Sequence, residues 1–199
     1  MARISVVDIP KIIGTNKFTK PYEIIRIKKN LKNLPINKAK GASFVGTTGH
    51  AKSWVWSAGV DIAYGLSPCI HGKIMEEITL EKVGAVRFDE YVKFKTWFGL
   101  EIIGKLDGVL KDDNGKVKTI VEVKNRVHKF GNYQHDIDQI LLYLYLYCRM
   151  NDVYNVNAHL VQQLDDEIEI TIYKYIDACD RFGVIQKLLK KELYDKDLI

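Results

Sequence analysis

The sequence predicts a mixed α/β fold, with a central mixed β-sheet flanked by helices. Three observations lead there. Two-residue alternation at 85–95, 102–124, 153–163 and 166–176 reads as strands. Helical spacing at 67–82, 136–150 and 177–194 reads as helices. The two kinds of segment interleave along the chain, in the order expected of one sheet covered by helices.

The elements follow in order. Residues 1–40 are rich in Lys and Ile and are punctuated by Pro10, Pro21 and Pro35, with a helix end or loop at 30–35. Residues 41–52, "GASFVGTTGHAK", read as a loop whose three glycines turn the backbone or let it approach a ligand. "GTTGH" lacks the GxxxxGK[ST] spacing of a phosphate loop. Residues 53–63 look helical. Ser67-Pro68 forms an N-cap with proline at the first helical position, and His71, Ile74, Met75 and Ile78 then share one side. A β-like run from Ile102 to Leu110, an Asp-Asp-Asn-Gly turn at 112–115 and a second run from Val117 to Lys124 form a hairpin. A polar connection at 126–135 leads to a helix for which Asp136 is the candidate N-cap. Two strands joined by Gln-Leu-Asp-Asp follow, and Asp177 caps a closing helix to about Tyr194.

With 199 residues and 47% hydrophobic composition, the chain can bury one substantial core. Residues 61–199 are expected to form that core, and 1–60 a basic helical and loop region of the same domain. No run approaches the ~18 apolar residues of a membrane span. The stretch from Ile140 to Cys148 is short and Tyr-rich, and the N-terminus lacks a signal-peptide pattern. These features predict a soluble intracellular protein with no membrane partner. Cys69, Cys148 and Cys179 show no zinc or iron–sulfur spacing and are expected to be buried or idle thiols. The net charge of +5 is uneven. Residues 1–60 hold 11 Lys/Arg against 2 Asp/Glu, and residues 61–199 hold 19 against 23. Such a basic end is either an anchor for a polyanion or a solvated lysine face.

The chemistry concentrates in "IIGKLDGVLKDDNGKVKTIVEVKNR". Glu122 and Lys124 fall on one face of their strand, Val121 and Val123 on the other, and the turn brings Asp107 back beside the charged face. Two carboxylates and an ammonium so placed can hold a divalent metal and a water beside a phosphodiester. A charged hairpin edge is also an ordinary solvated surface. Here, however, apolar residues surround both carboxylates, and buried carboxylates need a partner, a proton or a metal. Lys124 could supply that partner as a structural ion pair. Gln139 and Tyr143, four apart on the next helix, project from one face, whereas Tyr145 and Tyr147 read as packed aromatics.

In the order His71, Asp107, Glu122-x-Lys124, Gln139-x-x-x-Tyr143, these residues resemble the PD-(D/E)xK nucleases of the RecB-type branch. That branch includes helicase-linked nuclease domains, CRISPR-adaptation nucleases, mitochondrial genome-maintenance exonucleases and viral or phage exonucleases. The resemblance covers about residues 65–175 and implies a restriction-endonuclease-like core. It implies that His71, Asp107, Glu122 and the Val123 carbonyl ligate Mg²⁺ or Mn²⁺, with His71 favouring Mn²⁺. Lys124 would orient the attacking water or stabilise the developing charge. Gln139 and Tyr143 would contact DNA and support the site, with Glu76 assisting from one turn beyond His71. The eponymous proline is replaced by Leu106, and three scattered cysteines argue against an iron–sulfur cluster.

The activity so implied is metal-dependent hydrolysis of DNA, as an exonuclease on ends or single strands, in replication, repair or recombination. No base-reading motif is visible, so little sequence specificity is expected. Trp54, Trp56 and Trp97 are candidate stacking platforms, although core packing is the commoner fate of tryptophan. No helicase motif is present, so unwinding would come from a helicase or recombination partner. A junction-resolvase-like endonuclease and a non-catalytic nucleic-acid-binding protein on the same fold are the alternatives. The small format and Lys/Ile/Asn-rich composition fit a virus, phage or archaeon.

Overall fold

A computed structural model describes residues 2–33, 68–126, 130–131 and 133–194. The loop expected at 41–52, the helix expected at 53–63, Trp54, Trp56 and Ser67 lie outside these residues, as does the side chain of His71. Strand β1 (Arg3–Ser5) leads through a 3₁₀ turn into α1 (Ile9–Ile12) and α2 (Pro21–Asn33). Helix α3 (Pro68–Lys82) and strands β2 (Val86–Arg87), β3 (Tyr91–Lys95), β4 (Glu101–Lys105), β5 (Gly108–Lys111) and β6 (Val117–Arg126) follow. Helix α4 (Gln134–Asn151), strands β7 (Asn157–Leu164) and β8 (Glu167–Tyr173) and helix α5 (Tyr175–Leu189) complete the chain, with a π-helical turn at Lys190–Tyr194. Among the described residues, no helix is long and apolar enough to cross a membrane.

The architecture is mixed α/β, with mixed sheets flanked by helices. The strands divide into a three-stranded sheet, β1-β4-β3, and a five-stranded sheet, β2-β5-β6-β7-β8. The chain passes from one sheet to the other at Leu106-Asp107, between β4 and β5. The continuous run expected over Ile102–Leu110 is therefore broken where the candidate carboxylate sits. The strand expected over 85–95 is likewise two strands, with β2 on the edge of the larger sheet and β3 in the smaller one. Alternation reports which face a residue takes, but not which sheet its strand joins.

The β5–β6 hairpin is antiparallel, with Gly108 opposite Val121 and Val109 opposite Ile120. Its turn is set locally. Asp112 Oδ1 accepts the amides of Asn114 (3.0 Å) and Lys116 (2.9 Å), and Gly115 takes φ 75°. Helix α4 then carries the chain back to β7, which runs parallel to β6. That crossover buries β6 on both faces. Val121 and Val123 pack with Leu80, Ala85 and Val161 on the α3 side. Ile120 joins the main core with Ile140, Leu144, Leu160, Phe182 and Ile185 on the side of α4 and α5. On α3 the expected apolar side is not the buried one: Ile74 and Ile78 are exposed, whereas Thr79 and Leu80 are buried.

Strand β1 pairs parallel to β4, with Ile4 opposite Ile102. Ile4, Val6, Ile9, Ile12, Ile27 and Leu31 all enter the main core, so the described N-terminal elements pack on the same core as the later strands.

Candidate functional site

The hairpin register places Asp107 one step beyond the Gly108–Val121 pair, opposite Glu122. Asp107 Oδ2 accepts the Val123 amide at 2.8 Å. Glu122 is 2% exposed. Its Oε1 accepts from Lys124 Nζ at 2.7 Å and from Gln139 Nε2 at 2.6 Å. Gln139 Oε1 in turn accepts from Lys124 at 3.0 Å, and its Nε2 reaches the Tyr143 hydroxyl at 3.5 Å. Five of the residues singled out in the sequence thus come together from three places: the β4–β5 junction, β6 and α4.

Two carboxylates side by side out of water are electrostatically costly. Burial, then the charge of Asp107, push Glu122 well above the ordinary carboxylate range. Burial likewise raises Asp107, against the lowering influence of Lys124 and the Val123 amide. Burial and the Asp107 charge push Glu76 up to about 7, so this residue of α3 faces the same site. For Lys124, burial alone would favour the neutral amine. The charges of Glu122, Asp136 and Asp107 outweigh it and push the ammonium up to about 12. Burial also holds Tyr143 well above its usual range, as a neutral phenol.

Glu122 Oε2 is buried and has no hydrogen-bond partner. An orphaned carboxylate oxygen beside a second carboxylate is the environment that a divalent cation would satisfy. The donors available are Asp107, Glu122 and the Val123 carbonyl. Among the described residues, no three His, Cys, Asp or Glu side chains form a ready-made metal cage. His71 lies on α3, the helix that also carries Glu76.

The aromatic residues divide as follows. Tyr147 is buried, and Tyr145 is half-buried with its ring stacked on Phe182 at 3.7 Å. Trp97, by contrast, is 69% exposed. Cys148 is buried, with its thiol pushed up to about 12 by burial, and Cys179 is half-buried. Both are free.

Some contributors were not anticipated. Asp136 is not the N-cap of α4. The cap is Tyr133, and Asp136 lies in the first turn, 3% exposed. Its Oδ2 accepts from Arg126 at 2.5 Å, and its Oδ1 lies 3.8 Å from Lys124. A carboxylate in a helix's first turn is favoured by the helix dipole whether it caps or not, and here two cations draw it inward. Arg126 continues the Glu122, Lys124 face by one more two-residue step, a signal legible in the sequence. Its Nε donates to Gln162 at 2.8 Å, and its guanidinium lies over the Tyr133 ring at 4.8 Å. Gln162 and Gln163, buried after the apolar pair Leu160 and Val161 of β7, were a further readable anomaly. Asp177 caps α5 from its third position, accepting the Lys174 amide at 2.8 Å, so the helix starts earlier than expected.

Gly104 belongs to the site by what it lacks. A Cβ there would overlap the Tyr143 ring and come within 2.9 Å of Val6 Cγ2. The absent side chain lets the edge of the Tyr143 ring approach the β4 backbone.

No protein-family model matches this chain. No curated protein matches it either. Among solved structures, the fold is similar to the crystal structure of SSO0001, with a TM-score of 0.50 and 16% identity over 94% of this chain and 75% of that one. At that identity the likeness is one of fold. A looser likeness, to an alkaline exonuclease (LHK-Exo) from Laribacter hongkongensis, has a TM-score of 0.47 and 10% identity over 98% of this chain and 89% of that one. It falls below the level at which a shared fold can be argued.

Proposed function

We propose that the chain is a metal-dependent DNA nuclease, hydrolysing phosphodiester bonds as an exonuclease on DNA ends or single strands with little sequence specificity. The observation that carries this reading is the meeting of Asp107, Glu122, Lys124, Gln139 and Tyr143 in one place, with Glu122 Oε2 left unpartnered. Asp107, Glu122 and the Val123 carbonyl would hold Mg²⁺ or Mn²⁺, with His71 as a further ligand. A cation there supplies a more acidic water and polarises the phosphate.

The chain's own groups do the rest. Lys124, held protonated, is a fixed positive charge beside the reacting phosphate and not a proton acceptor. Gln139 bridges Glu122, Lys124 and Tyr143, and so fixes the direction of the carboxylate. Glu76, pushed up to about 7, is the group suited to exchange a proton at neutral pH. Binding rests on backbone charge, and unwinding falls to a helicase or recombination partner.

The test is cleavage of 5′-labelled and 3′-labelled single- and double-stranded DNA with Mn²⁺, Mg²⁺ or EDTA, with Glu122→Ala alongside. Metal-dependent degradation lost in the variant supports the reading, and the label pattern gives the polarity. No cleavage in any metal, with DNA still retained, would replace it with a non-catalytic binding protein.

A further inference from the structure

The small sheet has two faces. On β3, Val92 and Phe94 point inward to the core, and Thr96 beyond the strand is 2% exposed. The alternate residues Tyr91, Lys93, Lys95 and Trp97 point outward. Tyr91 is 60% exposed and Trp97 69%, a large apolar area left in water at both ends of one strand. The lysines between them have no ion-pair partner among the described residues. Lys95 and Trp97 also line a cleft with Phe98, Gly99 and Lys190, and the Lys190 ammonium lies over the indole at 4.9 Å. The charge of the rest of the face is more nearly balanced. Arg3 pairs with Glu101, and Lys105 with Asp89 at 3.1 Å. Tyr91 lies opposite Lys105, two residues before Asp107.

We propose that this outer face of β3 is a binding track for single-stranded nucleic acid, with Tyr91 and Trp97 as base-stacking platforms and Lys93 and Lys95 as phosphate contacts. Residues two apart on a strand stand about 6.6 Å apart, so Tyr91, Lys93 and Lys95 span about 13 Å, and Trp97 follows in the turn after β3. The alternation of aromatic, cation, cation, aromatic suits a polymer that carries a flat base and a charge in every unit. Stacking tolerates any base, in keeping with the absence of a base-reading motif. The Tyr91 end of the track pairs with β4, the strand that leads into Asp107. The inference rests on the nuclease reading for the identity of the polymer as DNA, but not for the binding itself.

Binding of fluorescein-labelled oligothymidine in EDTA, read by anisotropy, tests the track without any cleavage. Trp97→Ala should weaken the complex by about 5- to 150-fold, the loss of one stacked base. Trp97→Phe should retain most of the affinity, and Tyr91→Ala should weaken it in the same range. Lys93→Gln with Lys95→Gln should flatten the slope of log K against log salt by about 1.4. Affinity unchanged in Trp97→Ala and Tyr91→Ala, with circular dichroism showing folded protein, would overturn the track. So would an equal loss on a duplex closed by hairpin loops of non-nucleotide linker at both ends, since its base pairs offer no free face to these rings. Because the readout is binding in EDTA, a chain that binds but never cleaves would leave the track standing and remove the nuclease reading alone.

Discussion

Asp138 and Glu122 are both buried carboxylates, 0% and 2% exposed, and each accepts a bond from a glutamine of α4, Gln134 and Gln139 respectively. Their surroundings are opposite. Asp138 receives two bonds from Arg181, at 2.6 and 3.0 Å, one from Thr15 at 2.6 Å and one from Gln134 at 2.9 Å. Both oxygens are satisfied, and the residue ties α4 to α5 and to the loop after α1. Glu122 has one oxygen bonded twice, the other bonded to nothing, and Asp107 beside it. Burial alone therefore does not mark function. A buried charge with all its bonds made is a structural tie, and under the proposed function the one left incomplete is where a cation would sit.

The largest effect that would sharpen this contrast is on activity. Glu122→Ala and Asp107→Ala should each lower metal-dependent DNA cleavage by at least ~10³-fold while leaving a folded protein. Cleavage within tenfold of wild type would remove that residue from the mechanism. Asp138→Ala should do the reverse. It leaves Arg181 and Gln134 without their shared acceptor and should cost about 3–5 kcal/mol of stability in urea, with cleavage per folded molecule unchanged.

Gly104→Ala comes next, at about 1–3 kcal/mol, because Tyr143 and Val6 must both move. A urea midpoint equal to that of wild type would mean the ring has room. The smallest effect has the opposite sign. Glu122→Gln removes the charge facing Asp107 and offers an amide N–H in place of the unpartnered oxygen. In EDTA it should raise the melting temperature by roughly 2–4 °C, about 1 kcal/mol, while abolishing cleavage.

The same repulsion predicts a pH dependence in EDTA. Glu122 and Glu76 are raised above the ordinary value of 4.5 in the folded state. Below that value the carboxyls are protonated in both states and impose no penalty. As pH rises toward 7 the unfolded chain releases these protons first, so stability should fall over this window, and less so in Glu122→Gln. A thermal-melt series from pH 4.5 to 7.5 checks this. A flat profile would mean that the carboxylates have found other partners.

The meeting of the candidate residues was legible in the sequence for a physical reason. The Asp-Asp-Asn-Gly turn fixes the hairpin register through Asp112 and Gly115, and the two-residue period then places Asp107, Glu122 and Lys124. Gln139 and Tyr143 followed from helical spacing. What was not legible depends on partners remote in the chain. Strand β1 has three residues, too few for a period to show, and exists because β4 offers it an edge. The break at Leu106-Asp107 depends on two different sheets claiming the residues on either side. Asp136 carries the signature of an N-cap, and only the positions of Arg126 and Lys124 reveal why it turns inward.

The bonds that build the catalytic candidate join residues close in sequence: 16 apart for Asp107 and Val123, and 17 for Glu122 and Gln139. The ties of Asp138 span 43 and 123 residues. Closing a short loop costs less chain entropy than closing a long one. The hairpin and the start of α4 can therefore organise as a unit before the chain's ends are in place. In hydrogen exchange, the amides of β5, β6 and the first turns of α4 should open together, as one cooperative piece that carries Glu122, Lys124 and Gln139 with it.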